Sequence, residues 1–102
     1  MKSQFRLIIN PFAELDLHSS IEFYELQKPG LGEDFIAEVE ITLKRIESNP
    51  HQFYKVKRDV RKALLNKFPF GIFFYLKEDI VTVFAIFHFR RDPKKIAKRI
   101  IK

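Results

Sequence analysis

His88, Arg90 and Arg91 stand together where a long apolar run gives out, in the stretch Ile86-Phe87-His88-Phe89-Arg90-Arg91. An imidazole gives or takes a proton near neutral pH, and a guanidinium holds phosphate or carboxylate through paired N–H donors. One imidazole beside two guanidiniums, at the exit of a buried strand, suits phosphate chemistry or a protein contact. Arg61 and Lys67 add cations upstream, and Lys55, Lys57 and Arg58 form a basic run before them. Tyr54 and Tyr75 are of the type that stacks on a base or donates a proton.

Each of these residues also has a plainer use. His88 at a strand end suits a half-buried ring hydrogen-bonded to a backbone carbonyl. Arg61 suits pairing with an acid or capping the sheet. Arg90 and Arg91 suit the charges with which an edge blocks sheet-to-sheet pairing. Tyr75 lies inside an apolar strand and suits packing, while His18 and His51 read as surface residues. Residues 51–102 hold only four carboxylates, and no His/Asp/Glu cluster has ligand spacing, so neither a metal site nor a cofactor is expected.

The elements that must position these groups follow from periodicity. Ile72–Leu76 and Ile80–Phe89 are apolar runs flanking Lys77-Glu78-Asp79, the pattern of a β-hairpin. Both faces of each run are apolar, so the two strands are expected to be central and covered on both sides. If alternation continues, His88 and Arg90 share a face and Arg91 takes the other. Gln4–Asn10 reads as a strand with Phe5, Leu7 and Ile9 on one face, broken at Asn10-Pro11. Ala13, Leu17, Ile21 and Tyr24 then step at helical spacing, and Lys28-Pro29-Gly30 ends that helix. Phe35, Val39, Leu43 and Ile46 mark a second helix, opened by Glu33 and Asp34 and closed by Ser48-Asn49-Pro50. The two should form an antiparallel hairpin with acidic outer faces. His51–Val60 has no period and reads as an irregular basic connector. Arg61–Phe68 reads as a strand, Phe68-Pro69-Phe70-Gly71 as a turn or bulge, and Pro93–Lys102 as a short basic helix.

The expected order is thus β-α-α-β-β-β, a small α+β fold of one domain spanning residues 1–102. There are 12 Phe, no Trp and no Cys, which removes disulfides and thiolate chemistry and is compatible with the cytoplasm. No apolar run is long enough to span a membrane, and the first residues lack the apolar core of a secretion signal. Charge is unevenly spread. Residues 1–50 carry 5 Lys/Arg against 9 Asp/Glu, a net of −4, and residues 51–102 carry 14 against 4, a net of +10. A basic half of this kind points to an anionic partner, either nucleic acid or an acidic protein. No glycine-rich phosphate loop can be built from three glycines, so a nucleotide-binding enzyme is disfavoured.

The element order resembles the RelE/ParE superfamily, the toxins of type II toxin–antitoxin modules. The resemblance rests on Ile21-Glu22-Phe23-Tyr24, on Phe35–Pro50, and on Val60-Arg61 opening a strand. It continues through Phe68-Pro69-Phe70 before Tyr75 and through Ile86-Phe87-His88 leading to Arg90-Arg91-Asp92-Pro93. It implies a toxin neutralised by a cognate antitoxin and acting on one of two targets, DNA gyrase or the translating ribosome with its mRNA. The Phe-Pro-Phe segment and the His88-to-Pro93 ending look more like the ParE side, so gyrase inhibition is the first expectation.

The runner-up is a ribosome-dependent mRNA endonuclease, a metal-independent mRNA interferase with His88, Arg61 and Arg90 as catalytic candidates. Such cleavage needs a group to deprotonate the 2′-hydroxyl, one to protonate the leaving oxygen, and cations at the phosphate. Lys55, Lys57, Arg58, Lys67, Arg91, Lys94 and Lys95 are the candidates for nucleic-acid or partner binding. A third reading is a basic RNA-binding module without catalysis. Phe70-Gly71-Ile72-Phe73 only faintly echoes the aromatic motif of sheet-type RNA readers.

Overall fold

A computed structural model describes residues 4–90 and 93–100. Its elements, in chain order, are β1 (Arg6–Ile9), α1 (Pro11–Gln27), α2 (Leu31–Ser48), a 3-10 turn (Pro50–Gln52), β2 (Tyr54–Lys57), β3 (Val60–Leu64), β4 (Phe70–Lys77), β5 (Ile80–His88) and α3 (Pro93–Ile100). The five strands form one sheet in the order β1-β5-β4-β3-β2, parallel only between β1 and β5. This is the small α+β arrangement that the periodicity implied, with one strand more.

Local chemistry sets each junction. Asn10 ends β1 by donating its N–H to Val83, and its side chain caps α1 by accepting the Ala13 N–H at 3.0 Å. Pro11, which has no N–H to leave unpaired, takes the first helical position. Between the helices Gly30 adopts φ +93°, open to glycine at little cost. The Glu25 carboxylate reaches across from α1 and accepts the Gly30 and Gly32 N–H groups at 3.0 and 2.9 Å, capping α2. A Cβ at Gly32 would sit 3.1 Å from the Ile21 carbonyl oxygen, so the helices meet closely there.

One face of the sheet is closed by the helical hairpin. Phe35, Val39 and Ile46 of α2 and Ala13 of α1 pack against Ile72, Phe74, Val81 and Val83, all essentially without exposure. Phe35 alone makes ring contacts with Tyr24, Phe68 and Phe70. The other face holds a smaller cluster, Val60, Phe84, Ala85 and Phe87, with Phe73 and Tyr75 beside it and Ile96 and Ile100 of α3 laid over it. An extra residue at Phe84 lets β5 feed both Phe84 and Ala85 to this side, because Phe73 pairs with Ala85 and Phe74 with Val83.

Four expectations need correction. The stretch read as an irregular connector contains β2, an antiparallel partner of β3. All four of its residues are exposed, and a strand wetted on both faces has no apolar alternation to betray it. The strand read from Arg61 to Phe68 stops at Leu64, and Leu65 and Phe68 plug the core from a tight turn. The outer surface of α1 is not acidic throughout, since Phe12, Leu15, Phe23 and Leu26 are exposed beside the exposed Glu14, Glu22 and Glu25. Finally, β5 ends at His88, so the alternation expected to align Arg90 with it does not reach Arg90.

Candidate functional site

β1 is short, and among the described residues no strand lies beside the edge of β5 beyond Val83. Two side chains take that strand's place. Asp16 of α1 accepts the Ile86 N–H at 3.0 Å, and Arg99 of α3 donates to the Phe84 carbonyl at 2.9 Å. The two then join each other through paired bonds of 2.9 and 3.0 Å. The guanidinium also lies over the rings of Phe87 and Phe12, 4.7 and 5.4 Å from their centroids. The Asp16 side chain is 9% exposed and that of Arg99 22%, so this pair is largely withdrawn from water and holds α3 in place. Tyr75 completes the anchor by donating its hydroxyl to the Ile100 carbonyl at 2.7 Å, within the last turn of α3. Burial pushes the Tyr75 phenol above its ordinary pKa.

Anchored in this way, α3 projects Lys94, Lys95 and Lys98 outward. Its Ala97 and Ile100 form one wall of a hollow of about 460 Å³ whose other walls are Lys57, Arg58, Val60 and Tyr75. Arg58 sits in the β2–β3 turn with φ +31°. A second hollow of about 510 Å³ adjoins it at Asp59 and Tyr75 and runs along Lys77, Ile80 and Thr82. On the same face Lys62 places its ammonium 5.9 Å from the ring centroids of both the exposed Tyr54 and Phe73. The outer face of the sheet is therefore an open surface with an aromatic floor, rimmed by Lys57, Arg58, Lys62 and Lys77 with Asp59 and Glu78 among them.

The residues singled out from sequence fall into separate groups. Lys57 and Arg58 share the hollow described above. Lys55 and Arg61 are cross-strand partners, and Arg61 turns its guanidinium to the Phe53 and His51 carbonyls at 2.9 and 3.3 Å, fastening the 3-10 turn to the sheet. His88 pairs with Phe70 at the far end of β5, edge-on to its ring at 5.3 Å. Its Nδ1 accepts the Arg90 N–H at 2.9 Å, which leaves Nε2 to carry the proton of the neutral ring. Arg90 is exposed in the turn that follows, and Lys67 is exposed in the β3–β4 turn. Arg91 lies outside the described residues.

Arg61 and His88 are not brought together. Their strands are separated by β4, and the position level with Arg61 on β5 is Val83, five residues before His88. Because the extra residue at Phe84 adds no length, the offset along the sheet is that from Phe74 to Phe70, and with two strand spacings it amounts to roughly 16 Å between the Cα atoms. The groups that sequence reasoning missed are Asp16, Lys62 and Arg99. Lys62 carried a signal, its basic charge in the middle of an alternating strand, whereas Asp16 and Arg99 carried none.

Among the described residues no group of three or more His, Asp or Glu could hold a metal ion, and no helix is long and apolar enough to cross a membrane. No family model and no curated protein matches the chain. Among solved structures, a chain of the chromosomal ParDE toxin–antitoxin system from P. aeruginosa superposes with a TM-score of 0.73. The match covers 83% of this chain and 96% of that one, at 18% identity. The fold is ParE-like. At that identity the likeness is one of fold. It does not extend to individual site residues, which have to be judged by their own geometry.

Proposed function

We propose that residues 1–102 act as a single domain, the toxin of a type II toxin–antitoxin module, working in the cytoplasm and inhibiting growth at DNA gyrase. The observation that carries the toxin reading is the ParE-like fold across most of the chain. The protein-target reading is favoured over cleavage by the separation of His88 from Arg61. A general acid or base acts within hydrogen-bond reach of the reacting atom, whereas these Cα atoms lie roughly 16 Å apart and the Arg61 guanidinium is turned to the Phe53 and His51 carbonyls. In this reading Lys55, Lys57, Arg58, Lys67, Lys94 and Lys95 are contact residues, and an acidic or amphipathic antitoxin segment binds the basic, partly apolar outer face.

One observation speaks for mRNA cleavage instead. Tyr54 and Lys62 offer an exposed ring with a cation beside it, a pairing suited to an unstacked base.

Induction of the chain alone in a bacterial host, with pulse labelling of DNA and protein synthesis, decides between them. A halt in replication with gyrase-linked, broken DNA is the expected result. A halt in translation with mRNA cut inside ribosomes overturns the gyrase reading in favour of the nuclease. In that case His88→Ala and Arg61→Ala are each expected to abolish cleavage while leaving the fold intact. Unimpaired growth removes the toxin assignment and leaves the fold.

A further inference from the structure

The outer stripe of α1 is largely uncovered among the described residues, its one contact described from another element being the Arg99 guanidinium over the Phe12 ring. Phe12, Leu15, Phe23 and Leu26 are 59%, 64%, 56% and 82% exposed, on the side of the helix turned away from Ala13, Leu17, Ile21 and Tyr24. At 3.6 residues per turn these four positions and Ser19 fall within an arc of about 80°. The stripe is also symmetric about Ser19, with Phe12 and Leu26 seven residues away on either side and Leu15 and Phe23 four. In an antiparallel twofold pair centred on Ser19, Phe12 faces Leu26 and Leu15 faces Phe23, so this spacing sets apolar residue against apolar residue across the axis.

From this geometry we infer that α1 pairs antiparallel with α1 of a second copy, crossing at Ser19. Phe12 of one copy then meets Leu26 of the other, Leu15 meets Phe23, and the small Ser19 side chains let the helices approach at the centre. Charge does not oppose the contact. Asp16, beside the stripe, is already neutralised by Arg99. Glu22 lies three residues off the centre, so the two copies of it stand about 9 Å apart along the axis. The antiparallel arrangement also sets the two helix dipoles against each other.

Counting a whole side chain at roughly 200 Å², the exposed fractions amount to about 500 Å² per copy. That gives about 1,000 Å² for the pair, the lower limit for a specific interface, so a weak dimer that forms only at high chain concentration is expected. The inference stands apart from the toxin reading, since it uses no residue of the basic face.

The test is sedimentation equilibrium on the purified full-length chain, made by cell-free synthesis, up to about 300 µM. The expected result is a rise in weight-average mass from one chain toward two. Leu15→Glu combined with Leu26→Glu should abolish the rise with an unchanged circular dichroism spectrum, because both residues are exposed. Ser19→Cys supplies a positional check in a chain with no other cysteine. Helix axes about 8–10 Å apart leave about 3.5–5.5 Å between the Ser19 Cα atoms, overlapping the range of about 4.4–6.8 Å that a disulfide spans. Mild oxidation should therefore link Ser19→Cys into a covalent dimer and leave Glu40→Cys, exposed on α2, unlinked. A monomer throughout the concentration range overturns the inference. So does a dimer unaffected by the glutamate substitutions, or equal cross-linking at both positions. If the glutamate variant sediments as the wild type but loses growth inhibition, the stripe serves a different protein and the self-pairing is likewise overturned.

Discussion

The two faces of the sheet are covered by different means. On the inner face two long helices interlock with it through Phe35, Phe68, Phe70 and Phe74, and specificity comes from shape. On the outer face a two-turn helix rests on Ile96 and Ile100 and is held by directed polar bonds, Arg99 to Asp16 and Phe84, and Tyr75 to Ile100. Apolar interlock resists local opening, since any movement exposes many atoms at once. A latch made of a few strong bonds leaves the surface around it open, and here the hollows and most of the candidate contact residues lie beside that latch. The cover that defines the fold and the cover that borders the candidate surface are thus separate structures.

Substitutions that weaken one face at a time should expose that difference. Phe35→Ala removes the centre of the inner face and is expected to cost about 3–5 kcal/mol in urea denaturation. A cost no larger than that of an outer-face change would dissolve the contrast. Arg99→Ala leaves Asp16 and the Phe84 carbonyl without their partner and should cost about 2–3 kcal/mol. Amide exchange should quicken chiefly in α3 and at Ile86. Exchange that rises uniformly through α2 would mean that the faces are not independent.

Tyr75→Phe loses one hydrogen bond to α3, about 1 kcal/mol. It also separates the tyrosines by pH. Burial raises Tyr75 and Tyr24 above the usual phenol value, so the fold favours their neutral forms. Their contribution is complete below about pH 10 and declines as pH climbs through the raised values. Melting curves taken upward from pH 8 should show a smaller alkaline loss in Tyr75→Phe than in the parent. The smallest effect is expected from Arg58→Gly. This relieves the φ of +31° in the β2–β3 turn, should change stability by no more than about 0.5 kcal/mol, and tests whether the hollow survives without its arginine.

Much of the inner face was legible in sequence because repetition writes it. Phe35, Val39, Leu43 and Ile46 recur at helical spacing, and Asn10-Pro11 and Lys28-Pro29-Gly30 punctuate the chain where the elements end. β2 was not legible, because an exposed edge strand has no buried side to impose a pattern. Asp16 and Arg99 were not legible either, since one sits among the polar residues of α1 and the other among those of a basic helix 83 positions away. Alternation counted along β5 from Val81 and Val83 would set His88 on the outer side, and the extra residue at Phe84 turns it to the inner side with Arg61. Alternation says nothing of register, and register is what sets those two residues apart by about two strands and five positions.

The pairing of Asp16 with Arg99 also bears on the order of events as the chain folds. A contact across 83 positions has to wait for everything between its ends, and its loop-closure entropy is recovered only after α1 and β5 are in place. Until residue 99 has been synthesised and docked, the margin of β5 past Val83 is an open template for a neighbouring chain. The latch therefore belongs to the last stage of folding, and its loss in Arg99→Ala should appear in the unfolding rate while the folding rate stays nearly as it was.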